Sequence, residues 1–193
     1  MAQAKEKIKR ALIELLDEKD FEKISIQDIV RRAGVGRSTY YYHYFEQREV
    51  LSDIFNDVFA RFCEINKNEA GADPSIEKAG KGLYRMTASM VDYLLANRDF
   101  LNTLFFGGVA KEFNQGYQRY FKESYATIHP DSDAYSRYLR DYLCAGQYHL
   151  LETLLKNGCE EDRRGMTDLL FDVNCMIALG PTRYHAAAIL EGA

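Results

Sequence analysis

Apolar side chains recur every three to four residues along most of this 193-residue chain, which is the spacing of amphipathic helices. The first such segment carries Ile8, Ala11, Leu12, Leu15 and Leu16 on one helical face. A wider apolar stripe follows on a helix that begins near Gln47, at Val50, Leu51, Ile54, Phe55, Val58, Phe59 and Phe62. No segment alternates apolar and polar residues convincingly, as a half-buried strand would. The pattern predicts an all-α protein.

Helix-breaking residues divide the rest of this pattern into further helices. The three prolines, Pro74, Pro130 and Pro181, each stand beside Gly, Asp or His, and such pairs are typical of breaks between helices. Asp73 and Pro74 are suited to be the N-cap and first residue of a helix. The predicted helices run over about 74–96, 100–106, 109–128, 133–156 and 162–179, with breaks at Gly107-Gly108, Asn157-Gly158 and Gly180-Pro181. In total we expect about nine helices and no sheet.

Two short helices separated by glycines follow the first helix. Ser25 is a candidate N-cap, with Asp28 at the third helical position as in a capping box. Gly34 suits the left-handed position that ends a helix, and a further short helix runs from Arg37 to about Tyr44. Short helices joined by a tight turn form a helix-turn-helix, in which the second helix enters the DNA major groove.

The charge of the chain is distributed in a way that suits this interpretation. The net charge is -4, so the protein as a whole is not basic. Residues 1–50 hold ten Lys/Arg against nine Asp/Glu, and residues 29–45 contain no acidic residue while including Arg31, Arg32, Arg37 and His43. Local rather than total charge decides whether a surface attracts phosphates.

Residues 29–44 read I-V-R-R-A-G-V-G-R-S-T-Y-Y-Y-H-Y, and this stretch resembles the signature of the TetR (tetracycline-repressor) family, I-A-x-x-A-G-V-S-x-x-T-F-Y-x-H-F. The likeness extends to residues 46–51, similar to the family's S-K-E-x-L. Counted forward from Thr39, Tyr44 takes the place of the signature's final aromatic. Counted backward from Leu51, Phe45 takes that place instead, and Arg48 takes the place of the lysine in S-K-E-x-L. The sequence leaves open which aromatic packs inward, and suggests one extra residue at this point. Gly36 replaces the serine that caps the recognition helix in the signature, which weakens the cap.

The resemblance implies a role for each residue of this region. Tyr41, His43 and Arg48 would contact phosphates, with Gln27 as a further candidate, while Tyr40 would pack in the core. Base edges would be read by Arg37, Ser38, Thr39 and Tyr42, and Arg37 could pair with guanine. Residues 1–50 would form the DNA-binding domain, and its usual action in the family is repression, although activation stays open.

Residues 51–193 would form an effector-binding and dimerisation domain, again by resemblance. The last two long helices would build a homodimer interface, with candidates Gly146, Leu150, Leu154, Leu169, Leu170 and Val173. Two-fold symmetry would place the recognition helices about 34–36 Å apart on a palindromic operator. The aromatic-rich helices between residues 74 and 142 would bind an unknown small effector, with candidates Tyr84, Met90, Tyr93, Phe105, Phe113, Tyr117, Tyr138 and Tyr142. Few charges fall on these faces, which favours an apolar or aromatic effector.

Other classes of protein fit the sequence less well. Four scattered histidines, no HExxH pair and no glycine-rich phosphate loop argue against an enzyme, so we expect no catalytic residue, metal or cofactor. A helical protein–protein adaptor of the same fold, no longer binding DNA, stays open as the alternative. The four cysteines are widely spaced without a CxxC pair, typical of reduced buried thiols. With no apolar run long enough for a membrane span and no signal-peptide pattern, we expect a soluble, cytoplasmic protein.

Overall fold

The structure is a computed structural model that describes residues 2–69, 76–128, 134–160 and 162–179. Over these residues it contains nine α-helices, one 3₁₀ turn and no β-strand, so the all-α prediction is confirmed. The helices are α1 (Ala2–Leu16), α2 (Ile26–Ala33), α3 (Arg37–His43), α4 (Gln47–Glu69), α5 (Ile76–Ala96), α6 (Arg98–Phe106), α7 (Ala110–Ile128), α8 (Ala134–Lys156) and α9 (Arg163–Leu179), and the 3₁₀ turn is Phe21–Lys23.

The predicted helix ends agree with these bounds to within about two residues where they can be compared, except that α1 ends at Leu16 and not near Lys19-Asp20 as its sequence suggests. Helix α6 begins at Arg98 rather than Phe100 because the carbonyl of Asn97 already accepts a hydrogen bond from the Leu101 amide at 2.9 Å. Helix α8 ends as expected at Asn157-Gly158, where Gly158 has a φ of 72°. The breaks predicted at Asp73-Pro74, His129-Pro130 and Gly180-Pro181 lie outside the described residues.

The chain divides into two compact units, and neither is continuous in sequence. The first combines Met1–Cys63 with Asn97–Gly116, and the second combines Glu64–Ala96 with Tyr117–Ala193. Helix α6 and the first residues of α7 therefore belong with the N-terminal helices. This grouping depends on packing between segments far apart in sequence, for which a hydrophobic pattern along the chain carries no signal.

The core of the first unit is formed by the apolar face of α1 and by a cluster of aromatic rings. All five predicted residues of the α1 face are buried. The Phe113 ring lies 5.3 Å from Phe55, 5.9 Å from Phe59 and 5.2 Å from Phe105, measured between ring centroids. A Cβ at Gly116 would lie 3.2 Å from the Phe59 ring, so glycine there lets α7 approach α4 closely.

Helix α6 is joined to the end of α1 through a second set of contacts in this unit. The buried Thr103 hydroxyl donates a 2.5 Å hydrogen bond to the Asp17 carboxylate. A Cβ at Gly108 would lie 3.0 Å from the backbone at Asp20 and Phe21. Because backbone cannot yield as a flexible side chain can, a glycine is required where this turn meets the 3₁₀ turn.

In the second unit, α9 packs on α5 through paired polar groups as well as apolar residues. Arg163 donates two hydrogen bonds to the Asp92 carboxylate, at 2.5 and 2.7 Å. The Tyr84 hydroxyl donates to Asp168 at 2.8 Å. Deeper in the unit, the Asn174 amide donates to the hydroxyl of the buried Thr87 at 3.0 Å. These contacts hold α9 along α5 at several successive turns.

The described cysteines are consistent with the expectation of unoxidised thiols. Cys144 and Cys175 are free, and Cys144 is buried while Cys175 is half-buried. Burial raises the pKa of the Cys144 thiol to about 11, which keeps it protonated at neutral pH and lowers its reactivity. Among the described helices, none is long and apolar enough to span a membrane.

Candidate nucleic-acid interface

Helix α2 begins with the capping box that the sequence predicts. The Ser25 hydroxyl accepts a hydrogen bond from the Asp28 amide at 3.1 Å, and the Asp28 carboxylate accepts one from the Ser25 amide at 3.0 Å. Lys19, just after α1, donates a 2.9 Å hydrogen bond to the same carboxylate. The Lys19 hydrogen bond, together with those that the Ser25 amide and hydroxyl donate to the carboxylate, holds the pKa of Asp28 well below its ordinary value. The start of α2 is thereby joined to the end of α1.

A tight turn connects α2 to α3, and glycine is required at its first position. Gly34 has a φ of 63°, a left-handed conformation that costs other residues about 1–2 kcal/mol. The Val35 amide donates to the Val30 carbonyl at 3.2 Å, closing the end of α2. Gly36 precedes α3 without a side-chain cap, as the departure from the signature predicts. The turn thus fixes the angle between the two helices.

Helix α3 is anchored by Tyr40 and presents most of its other side chains to solvent. Tyr40 is completely buried, which confirms its predicted core position, and burial raises its pKa to about 12. The Tyr41 ring stands edge-on to Tyr40 with centroids 5.6 Å apart. Tyr42 is 70% exposed and stands edge-on to His43 at 5.0 Å. A short helix with one buried anchor and outward polar and aromatic groups suits entry into a groove.

The structure decides between the two aromatic residues that follow α3. Tyr44 is 4% exposed and Phe45 is 81% exposed, so Tyr44 is the inward-facing aromatic. Counted from Tyr44, the completely buried Val50 stands where the signature has its leucine. No extra residue is then needed, and the suggestion of an insertion is corrected. On this count Gln47, the first residue of α4, takes the place of the signature's lysine, a candidate that the backward count missed.

Tyr44 also connects α3 to α1 and α4 through its hydroxyl. It donates a 2.7 Å hydrogen bond to Asp53 on α4. Lys5 on α1 forms an ion pair with Asp53 at 3.0 Å and lies 5.8 Å above the Tyr44 ring. Burial, followed by the hydrogen bond to Asp53, raises the pKa of Tyr44 well above its ordinary value. This contact uses the hydroxyl that distinguishes Tyr44 from the phenylalanine of the signature.

The arginines of this region differ in what they contact. Arg31 pairs with Asp28 at 2.9 Å, Arg32 with Glu18 at 2.7 Å and Arg48 with Glu22 at 3.3 Å. Arg37 instead donates to the amide oxygen of Gln27 at 3.3 Å. Among these four arginines, Arg37 is thus the one whose contact within residues 2–69 is with an uncharged side chain.

The eight predicted DNA-contacting residues all lie on or beside α2, α3 and the start of α4. Six side chains are exposed and two are half-buried, Thr39 and His43. The exposed ones are Gln27, Arg37, Ser38, Tyr41, Tyr42 and Arg48. The turn after α2 therefore brings together residues that are distant along the chain, such as Gln27 and Arg37.

The candidate effector residues are divided between the two units. Phe105 and Phe113 are buried in the aromatic cluster of the first unit. In the second unit Tyr117 is completely buried, and its ring stacks on Phe121 at 4.2 Å. The remaining candidates of that unit are half-buried or exposed: Tyr84, Met90, Tyr93, Tyr138 and Tyr142. Tyr138 and Tyr142, one turn apart on α8, are each about three-quarters exposed.

The candidate dimer residues lie on both sides of α8 and α9. Leu154 and Leu170 are buried within the chain. Leu150 and Val173 are half-buried, Leu169 is 40% exposed, and Gly146 is exposed. Apart from the neighbouring residues and backbone of its own helix, no heavy atom lies within 4 Å of where a Cβ of Gly146 would stand, so this position is open.

Residues 8–52 match the family model described as bacterial regulatory proteins, tetR family. Over these residues the chain is similar to the TetR family. No curated protein matches the chain.

Solved structures that resemble the whole chain share the TetR fold at low sequence identity. The TetR transcriptional regulator from Streptococcus agalactiae 2603V has 21% identity and a TM-score of 0.64, covering 89% of this chain and 93% of its own. The dihydroxyacetone kinase operon activator DhaS has 18% identity and a TM-score of 0.61, covering 92% and 97%. NalD, the secondary repressor of the MexAB-OprM multidrug efflux pump in Pseudomonas aeruginosa, has 21% identity and a TM-score of 0.60, covering 89% and 94%. The chain therefore has the fold of TetR-family transcriptional regulators.

Proposed function

We propose that this protein is a DNA-binding transcriptional repressor that binds a palindromic operator as a homodimer. The observation that carries the proposal is helix α3, where buried Tyr40 anchors a helix whose Arg37, Ser38, Tyr41 and Tyr42 face solvent. As part of the same proposal, residues 1–50 bind DNA, residues 51–193 bind the effector and dimerise, and the protein acts in the cytoplasm. One related structure is an activator and another a repressor, so a reporter gene behind the operator must establish the sign of regulation.

Binding to a random DNA pool, followed by sequencing at two salt concentrations, tests the proposal. We expect a palindromic site to be enriched, with affinity falling at least tenfold between about 50 and about 200 mM salt because bound cations on DNA are released. Arg37→Ala and Tyr42→Ala should weaken binding at least tenfold. Arg119→Ala, which removes an exposed arginine from the second unit, serves as the matched control. Absence of any enriched site would favour the adaptor function instead.

A small, mostly apolar or aromatic effector that releases the operator forms the second part of the proposal. Tyr117 supports it, because its ring is buried between the rings of Phe121 and Tyr148, at 4.2 and 5.1 Å. Burial holds the pKa of Tyr117 well above its ordinary value, so the residue offers apolar area and a neutral hydroxyl. Compounds of this class should lower operator affinity at least tenfold in a fluorescence-anisotropy screen. If none does, regulation by such a compound is excluded while DNA binding stands.

A further inference from the structure

The contact between Gln27 and Arg37 joins the two helices of the helix-turn-helix at their solvent-exposed side chains. Gln27 is the second residue of α2, and Arg37 is the first residue of α3. An Arg37 terminal nitrogen donates to the Gln27 amide oxygen at 3.3 Å. Both residues are exposed, so the contact contributes little to the core. Its consequence is instead to restrict the direction in which the guanidinium points.

A neutral partner leaves Arg37 able to bind a further acceptor. Arg31, Arg32 and Arg48 each contact a carboxylate, and those carboxylates compete with any DNA acceptor for the same donors. The Gln27 oxygen uses one donor of Arg37 without neutralising its charge. The other guanidinium donors can still form the two parallel hydrogen bonds that recognise O6 and N7 of guanine.

Holding a long side chain in one conformation before binding lowers the entropy that binding must overcome. For each hydrogen bond formed, arginine loses less conformational entropy than lysine does, because its donors form a rigid planar group. Orientation matters most for a base edge, where both bonds must align, and least for a phosphate, which accepts from many directions. A fixed Arg37 is therefore suited to reading a base.

We propose that Gln27 is a positioning residue for base recognition, which holds Arg37 in the orientation that reads a guanine in the major groove. The inference rests on the proposed function, because it needs an operator bound by α3. It differs from the role that the resemblance implies for Gln27, which is direct contact with a phosphate. The two roles predict different dependence on DNA sequence.

Affinity measurements on two operators separate these roles. The guanine read by Arg37 is found as the position whose preference disappears when the DNA selection is repeated with Arg37→Ala. Affinities of the parent, Gln27→Ala, Arg37→Ala and the double variant are then measured on that operator and on one with the guanine replaced. Gln115→Ala, which removes an exposed glutamine from α7 in the same unit, is the matched control. Thermal unfolding followed by circular dichroism verifies that each variant folds.

We expect Gln27→Ala to weaken binding to the guanine operator by about three- to tenfold, the effect of one hydrogen bond, and to the replaced operator by less than about twofold. Added to Arg37→Ala it should have no further effect, because its partner is already absent. Gln27→Glu replaces the neutral acceptor with a carboxylate that competes with guanine for the Arg37 donors, so it should weaken binding to the guanine operator more than binding to the replaced operator.

Three results would overturn the inference. Equal weakening of both operators by Gln27→Ala, additive with Arg37→Ala, would make Gln27 a phosphate contact. Equal weakening of both operators by Gln27→Glu would show that the neutral partner of Arg37 is not what matters. An unchanged base preference in Arg37→Ala would show that Arg37 reads no base. In each case the parent still selects an operator, whereas failure of the proposed function leaves the parent with none.

Discussion

Tyr44 and Phe45 are neighbours in the chain and lie at opposite extremes of burial, at 4% and 81% exposed. Both are aromatic, so hydrophobicity does not distinguish them. Tyr44 is held inside because its ring contacts Tyr40, 6.1 Å away between centroids, while its hydroxyl reaches Asp53. At the residue scale, the position of this aromatic sets the register between α3 and α4 and with it the assignment of Gln47.

Alanine substitutions at these two positions should have very different effects on stability. Tyr44→Ala should lower the free energy of unfolding by about 3 kcal/mol, because it leaves a cavity and removes a hydrogen bond to Asp53. Phe45→Ala should change it by less than about 0.5 kcal/mol, since an exposed side chain has few contacts to lose. Urea unfolding of both variants checks this, and equal effects would contradict the assignment of Tyr44 as the inward residue.

At the scale of elements, α2 and α3 are short helices that depend on their ends. Helix α2 has eight residues, fewer than a helix needs to be stable alone. Its capping box satisfies amide groups at its start, and Gly34 ends it in a left-handed conformation. Both features can be identified in the sequence because caps use local residues at fixed spacing. The link from Asp28 to Lys19 was not predicted, because it depends on how α1 and α2 pack.

The stabilising effect of the Asp28 carboxylate should depend on pH in a defined direction. Its pKa is lower in the folded protein than the ordinary value of 3.8, so its contribution is complete above that value. The contribution is lost as pH falls from there toward the folded pKa. The Tm difference between the parent and Asp28→Asn should therefore be constant near neutral pH and shrink below about pH 4.

Asp99→Asn, which removes an exposed carboxylate at the start of α6, serves as the control for the loss of one charge. Thermal unfolding of the three proteins between about pH 2 and 7 makes the comparison. A Tm difference for Asp28→Asn that widens on acidification would contradict the role given to this carboxylate.

At the scale of the whole molecule, the proposed dimer depends on which parts of α8 and α9 a single chain leaves accessible. Leu154 and Leu170 are already buried within the chain, so they would pack under the residues that contact the partner. Gly146 and Leu169 are the dimer candidates that one chain leaves exposed. A glycine at an open position on a helix allows a second helix to approach closely.

Gly146→Leu should convert the proposed dimer to a monomer without unfolding the chain. Apart from the neighbouring residues and backbone of its own helix, no atom lies within 4 Å of the added Cβ, and replacing glycine within a helix favours the helical state. In a close helix pair the larger side chain would separate the partners. Sedimentation equilibrium should show at least a tenfold weaker dimer for Gly146→Leu and a smaller effect for Gly146→Ala. A dimer unchanged in both variants would place the interface elsewhere.

The sequence by itself determined the helices, the breaks that fall within the described residues, the capping box and the region that carries the TetR signature. Each of these follows from residues close together in the chain, whose spacing reflects helix geometry or local hydrogen bonding. Only the tertiary structure decided that Tyr44 rather than Phe45 faces inward, that α6 belongs with the N-terminal helices, and that Gln27 contacts Arg37. These features depend on which surfaces meet when distant segments pack. Composition and periodicity describe each segment separately, so they do not predict these contacts.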